Sequence, residues 1–214
     1  GLGDLSNSHF YHNLFLPFMY SYRRCPYAMR ARLSLYLALI DFSIYEISLK
    51  NKPEHMLAVS PKGTVPVLIL GDNQIIDESL DIMMWAFSHQ GIMDKYLPQD
   101  KKQISLSLIN SNDNSFKKNL DSYKYAYDDN KRENAFKKCL DYVSELDLLL
   151  EKNEYLLDDC PLMVDYAIFP FIRQFINVDV LKFEDEGFKK INQWFNRILS
   201  SNEFEHIMMK SKIS

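Results

Sequence analysis

Apolar positions along this chain change their spacing after Gln90. Before it, short apolar runs alternate with helical stripes. After it, only stripes remain. Leu14 to Tyr20 is a short apolar run bounded by polar residues, which predicts a strand. Pro26 to Ile40 places Leu33, Leu37 and Ile40 on one stripe, with Met29 and Arg32 beside it, which predicts a helix. Ser43 to Leu49 alternates, with Tyr45, Ile47 and Leu49 facing one side, as a strand does. Pro53 to Val59 has room for a short helix. Val65 to Leu70 and Gln74 to Glu78 flank Gly71–Asn73, a hairpin signal. A helix should start near Glu78, with Ile82, Trp85 and Ala86 turned inward.

The predicted order is β-α-β-α-β-β-α. The first βαβ unit should be parallel and right-handed, and the last two strands antiparallel. That layout is a small four-stranded mixed sheet with helices on its faces, the thioredoxin-like arrangement. Gln90 to Gln103 is polar and interrupted by Gly91 and Pro98, so the domain boundary falls there. The expected division is a thioredoxin-like domain over 13–89, a linker over 90–102 and an all-helical domain over 103–214. Within the helical part, Ile109, Phe116, Leu120, Tyr123 and Tyr127 mark one stripe. Ala135, Cys139, Tyr142, Leu146 and Leu149 mark a second. Val164 to Ile176 is apolar almost all round and should be the buried central helix. Phe188, Ile191, Trp194, Phe195 and Ile198 mark another, and Phe204 to Met208 a last short one.

Composition narrows the function classes. With 214 residues the chain can bury a real core, and 47% hydrophobic residues exclude disorder as its overall state. A net charge of -4 supplies no field for nucleic acid or anionic membranes. Charges interrupt every apolar run before it reaches transmembrane length, and no secretory apolar segment opens the chain. The first ten residues lack periodicity and read as an expression remnant or a loose arm outside the fold. Cys25, Cys139 and Cys160 form no disulfide framework, which fits a reducing compartment such as the cytoplasm. The five histidines are scattered, so no metal site is expected.

Cys25 carries the candidate chemistry. It stands just before Pro26, the preferred first residue of a helix. A helix N-terminus stabilises a thiolate through its unpaired N–H groups and its dipole, and Arg23 and Arg24 add positive potential. The plainer reading is a small buried residue at a helix start. Its place after the first strand of a thioredoxin-like pattern favours chemistry instead. Ala28 occupies the position where a C-x-x-C motif needs its resolving cysteine. Cys25 would therefore form a mixed disulfide that an outside thiol must break, and glutathione is the obvious one. Three further places fit a tripeptide. A cis Val65-Pro66 bond would aim the Val65 backbone at an extended peptide, although an edge proline needs no ligand. Ser79 and the first-turn amides suit a carboxylate, and Glu78 an ammonium group, although both also serve as plain helix capping. Lys52 is a flexible cation before a short helix, a position where lysines are commonly just solvated.

Taken together, RRCPYAMRARL, LKNKPEHML, SPKGTVPVL and IDESLDIMMW resemble the omega-type glutathione transferases, in the right order. NDNSFKKNLDSYKY and DYAIFPFIRQFINVD are similar to segments of bacterial omega-like members. The resemblance implies a thioredoxin-like domain followed by an all-helical one, usually in a homodimer. It places the catalytic cysteine at Cys25 and glutathione contacts at Tyr27, Lys52, Val65, Glu78 and Ser79, with Pro66 as the family's cis-proline. Lys52 would hold the glycyl carboxylate, Val65 the cysteinyl backbone, and Glu78 and Ser79 the γ-glutamyl end. One departure is visible. The family opens its central helix with Ser or Thr three residues before an aspartate, whereas here Asp165 is preceded at that position by Leu162. The lost cap should cost about 1 kcal/mol.

The expected activity is a glutathione-dependent thioltransferase or reductase acting on a small electrophilic or disulfide substrate. Tyr20 and Tyr22 keep conventional conjugation open. Tyr22 and Tyr125 are the candidates for the second-substrate pocket, whereas Tyr123 and Tyr127 belong to the core stripe. Cys139 should be inert and Cys160 oxidisable. Two alternatives stand beside this: a non-catalytic binding protein of the same fold, and a glutathione-dependent isomerase.

Overall fold

The computed structural model describes residues 16–210, and its strands form one sheet of order β2-β1-β3-β4. The first strand, β1 (Phe18–Ser21), pairs in parallel with β2 (Ser43–Glu46), and the helix α1 (Pro26–Leu37) crosses between them. β1 also pairs antiparallel with β3 (Val67–Ile69), which pairs antiparallel with β4 (Ile75–Ile76). Between β2 and β3 lies the short α2 (Glu54–Val59), and α3 (Ser79–His89) follows β4. This is the predicted order and pairing. Met19, Ala31, Leu35, Leu68, Ile82 and Ala86 form one core layer, and Tyr20, Ala28, Ile47, Met56, Val65 and Val67 the other.

The differences from expectation are local. Leu14 and Phe15, the start of the predicted first strand, lie outside the described residues. α1 stops at Leu37 because Leu39 adopts φ +56. The Ile40 N–H then bonds the Leu35 carbonyl and the Leu39 N–H the Tyr36 carbonyl, a Schellman closure without glycine. α1 also buries most of its circumference rather than one stripe: Arg30 and Arg32 are as buried as Leu33. β2 ends at Glu46, so Leu49 is exposed instead of sharing a face with Ile47. In the hairpin, Asn73 is the left-handed residue. Asn tolerates that conformation through its short polar side chain.

The chain divides into two units: one reaches to Ile92 and resumes at Asn202, and the other runs Met93–Ser201. The last helix, α11 (Asn202–Ile207), thus folds with the sheet, although the sequence groups it with the helical half. The stretch expected to be a linker contains α4 (Met93–Tyr96) and a 3-10 turn (Gln99–Lys101). The helical unit continues with α5 (Lys102–Ser111), a π turn (Asn112–Phe116) and α6 (Lys117–Tyr125). The long α7 (Asp129–Leu149), α8 (Met163–Val178), α9 (Val180–Glu184) and α10 (Lys189–Leu199) complete it. α8 is the buried central helix, as its composition requires. Ile109, Phe116, Leu120 and Tyr123 are buried, but Tyr127 is fully exposed. α6 ends at Tyr125 and Ala126 turns extended, so the stripe stops before Tyr127.

Asp165 organises this unit. Its carboxylate accepts from the backbone N–H of Leu162 at 2.7 Å, from that of Leu156 at 2.9 Å and from the Trp194 indole at 2.9 Å. It retains half of a capping box. The missing hydroxyl is offset, because Leu162 buries its side chain in the core. Leu162→Ser should therefore lower stability by about 2 kcal/mol, since lost burial exceeds a regained cap of about 1 kcal/mol. Urea unfolding followed by tryptophan fluorescence checks this.

Burial pushes the Asp165 carboxyl up to about 6, against the pull of its Leu156, Leu162 and Trp194 donors. The folded state thus holds this proton more tightly than the unfolded state. The resulting stabilisation is fully present below pH about 4 and is lost as pH rises through about 6. The stability difference between wild type and Asp165→Asn should grow by about 2–3 kcal/mol from pH 7 to pH 4. A difference that stays flat across that range would refute it.

Candidate functional site

Cys25 is the N-cap of α1, with Pro26 at the first helical position. Its carbonyl already accepts the Met29 N–H at 2.9 Å, and its own N–H bonds the Tyr22 carbonyl at 3.0 Å. The thiol is half-buried and does not cap the helix, contrary to the expectation that it would reach the first-turn amides. Sγ instead faces the Val65 carbonyl at 3.9 Å. The Val65-Pro66 bond is cis, as anticipated. One edge therefore presents both a thiol and a strand-end backbone, as an extended thiol peptide requires.

The loop carrying Cys25 is held from behind by Arg32, whose guanidinium is almost wholly buried. Nη1 bonds Ser21 Oγ at 2.8 Å and the Tyr22 carbonyl at 3.4 Å. Nη2 bonds the Arg23 carbonyl at 2.6 Å, and Nε bonds the Ile207 carbonyl at 3.2 Å. Burial lowers this group to about 10, partly offset by Glu46 and by Cys25, so it remains charged at neutral pH. The sequence singled out Arg23 and Arg24 as the electropositive neighbours. Arg24 is exposed, and Arg23 reaches Glu46 through its backbone N–H and the Met208 carbonyl through Nη1. The buried cation that couples to Cys25 is Arg32, which sequence reasoning passed over as a flank of the stripe. Its only signal was a charge placed where a core face should be.

The other predicted residues of this unit lie on the first turn of α1 (Tyr27), at the start of α3 (Glu78 and Ser79) and in the loop before α2 (Lys52). Lys52 packs over Gly63: a Cβ built there would stand 3.6 Å from Nζ. Gly63 has φ +67, which only glycine adopts cheaply. Glu78 is the N-cap of α3 but makes no side-chain cap; its carboxylate pairs with Lys62 Nζ at 2.5 Å. Ser79 is buried and its hydroxyl accepts from Arg30 Nη1 at 3.4 Å. Tyr27 is half-buried, with the Arg30 guanidinium 5.7 Å from its ring centre. Arg30 and Lys62 were absent from the sequence reading.

The tyrosines separate. Tyr20 is buried, and its hydroxyl hydrogen-bonds with His55 Nδ1. Burial, then Tyr45, raises its pKa. Tyr22 packs on the same core layer as Cys25. Tyr125 lies in the helical unit, is 66% exposed and has Lys124 Nζ 5.2 Å from its ring centre. Cys139 is fully buried and burial pushes its thiol up to about 12, which makes it inert. Cys160 is exposed.

Similar proteins were found in three comparisons. The family model described as the N-terminal domain of glutathione S-transferases matches residues 19–93, and that of the C-terminal domain matches 129–197. Glutathione S-transferase omega-1 of Mus musculus is 27% identical over 165 residues, 73% of this chain and 65% of that protein. Glutathione S-transferase omega-1 of Sus scrofa is 44% identical over 61 residues, which are 28% of this chain and 25% of its own length. The matched stretches thus span from a quarter to about two thirds of these curated relatives. Among solved structures, a glutathione transferase family member from Pseudomonas fluorescens pf-5, with two glutathione bound, gives a TM-score of 0.80 at 15% identity. That match covers 91% of this chain and 93% of the other, and shows the shared fold.

Arg32→Lys should lower stability by about 2–3 kcal/mol, because an ammonium lacks the rigid fork that reaches the Ser21 hydroxyl, the Met208 sulfur and three backbone carbonyls, and leaves some of these acceptors unserved. The same change should speed the reaction of Cys25 with an aromatic disulfide reagent, as its loop loosens. Unfolding curves and stopped-flow thiol titration would check both.

Proposed function

The chain belongs to the glutathione S-transferase family, and on that premise we propose that it is a glutathione-dependent thioltransferase or reductase acting through Cys25. The observation that carries this is the half-buried Cys25 thiol at the start of α1, 3.9 Å from the Val65 carbonyl, with Ala28 where a resolving cysteine would stand. A helix N-terminus and the buried Arg32 charge both favour a thiolate there. Relatives whose printed names are omega-class transferases, and a neighbour solved with two glutathione bound, support the choice of thiol.

In this mechanism the Cys25 thiolate attacks the glutathionyl sulfur of a mixed disulfide R–S–S–G. The S–S bond breaks, and R–S⁻ leaves and takes a proton from solvent. Cys25 now carries the glutathionyl group. A second glutathione thiolate attacks that sulfur, releases glutathione disulfide and regenerates the Cys25 thiolate. The net exchange turns R–S–S–G and one glutathione thiol into R–SH and glutathione disulfide, with Cys25 returned unchanged. Val65 would pair with the cysteinyl backbone, with Pro66 holding that edge. Lys52 would hold the glycyl carboxylate, Tyr27 would pack against the tripeptide, and Glu78 and Ser79 would receive the γ-glutamyl end. Tyr22, beside Cys25, would meet the leaving group R.

Conjugation through a tyrosine hydroxyl is the weaker alternative. Tyr20 is buried against His55 and holds its proton more firmly than a free phenol. The family resemblance also points to a homodimer. All three cysteines are free, which fits a reducing compartment such as the cytoplasm. No helix among the described residues is long and apolar enough to cross a membrane.

Treatment with glutathione disulfide should add about 305 Da to the protein at Cys25, read by peptide mass spectrometry (one glutathionyl group). Cys25→Ser should lose that adduct and more than about a hundredfold of the mixed-disulfide reductase rate. Absence of the adduct in the wild type would sink the mechanism.

A further inference from the structure

Lys62 lies outside the predicted contact set, and its pairing with Glu78 bears on what the site selects. Lys62 sits on the tight turn Ser60–Gly63, closed by the Gly63 N–H to the Ser60 carbonyl at 3.0 Å. Pro61 and the left-handed Gly63 fix its backbone on both sides. Its ammonium lies 2.5 Å from Glu78 Oε1 and 3.7 Å from Asp77 Oδ1. Asp77 is held in turn, since its Oδ2 accepts from the buried Ser60 hydroxyl at 2.8 Å. The pair is solvent-facing, with 37% of the Lys62 side chain and 67% of the Glu78 side chain exposed. A surface pair of this kind adds little to folding stability. What it does build is an ammonium and a carboxylate side by side, at the mouth of the helix whose Ser79 is backed by the buried Arg30.

An α-amino-acid end carries the same two charges on one carbon. Set head to tail against Lys62 and Glu78, its ammonium meets Glu78 and its carboxylate meets Lys62. A carboxylate has acceptor capacity for both cations, so the ligand need not expel Lys62 from Glu78. We propose that Lys62 is a specificity-determining residue of this subsite: it binds the α-carboxylate of a γ-glutamyl ligand whose α-ammonium rests on Glu78. The site then selects zwitterionic amino-acid ends over ligands bearing only one of the two charges. This deepens the glutathione reading and rests on it.

Calorimetric titration with S-methylglutathione, which cannot exchange disulfides, tests the idea. Wild type, Lys62→Met and Lys62→Arg are compared, each also against the analogue lacking only the α-carboxylate. Lys62→Met should weaken S-methylglutathione binding roughly three- to fivefold. It should leave the decarboxylated analogue unchanged, and Lys62→Arg should restore the affinity. Unchanged or tighter binding by Lys62→Met would show that the lysine is a bystander or a competitor for Glu78. An equal loss for both ligands would show that it only shapes the loop. Either result overturns the proposal while leaving glutathione binding intact. A wild type that binds neither ligand overturns both this proposal and the glutathione reading.

Discussion

The buried guanidinium of Arg32 is the constraint on which the site depends. A full charge inside a protein is tolerated only where its donors are satisfied. Arg32 meets that condition with a serine hydroxyl and three backbone carbonyls drawn from β1, the following loop and the end of α11. One side chain thus fixes the path of the loop that delivers Cys25 to the start of α1. It also ties residues 207 and 208, at the far end of the sequence, to that loop, because the Met208 sulfur and the Ile207 carbonyl are both its acceptors.

From this fixed loop the rest of the edge follows. Cys25 gains a cationic background without a cation in contact with solvent, and its sulfur turns to the Val65 carbonyl rather than into the helix. On the other side of α1, Arg30 does a related job beneath Ser79 and Tyr27. Two arginines on one helix therefore reach two different places, one behind the Cys25 loop and one behind the Ser79 hydroxyl. Charges inside are fixed by packing, whereas those outside, Lys52, Lys62 and Glu78, stand on loops where a ligand can meet them.

The helical unit uses the same device with the opposite sign. Asp165 is a fully buried carboxylate that satisfies two backbone donors and the Trp194 indole, and so joins α8, α10 and the loop before α8. The hydroxyl cap absent at Leu162 is not a defect in this setting. The position exchanges a hydrogen bond for buried apolar surface, and the aspartate still closes the helix start.

The order of elements, the pairing of strands and the thiol at the head of α1 were legible in the sequence, because each follows from local spacing: period two, period three to four, and a Cys-Pro step at a strand-to-helix junction. So was the absent partner at Ala28. Other features were decided only by the tertiary structure. Arg30 and Arg32 face inward, α1 buries nearly all its sides, Leu39 ends it without a glycine, Tyr127 falls off its stripe, and Lys62 meets Glu78 across a gap of sixteen residues. Each depends on what a side chain meets after the chain has returned from far away. Spacing along a sequence tells which residues share a face, but not what that face will press against. A buried charge in particular is stable only because of acceptors brought from elsewhere, and their identity is a property of the folded chain alone.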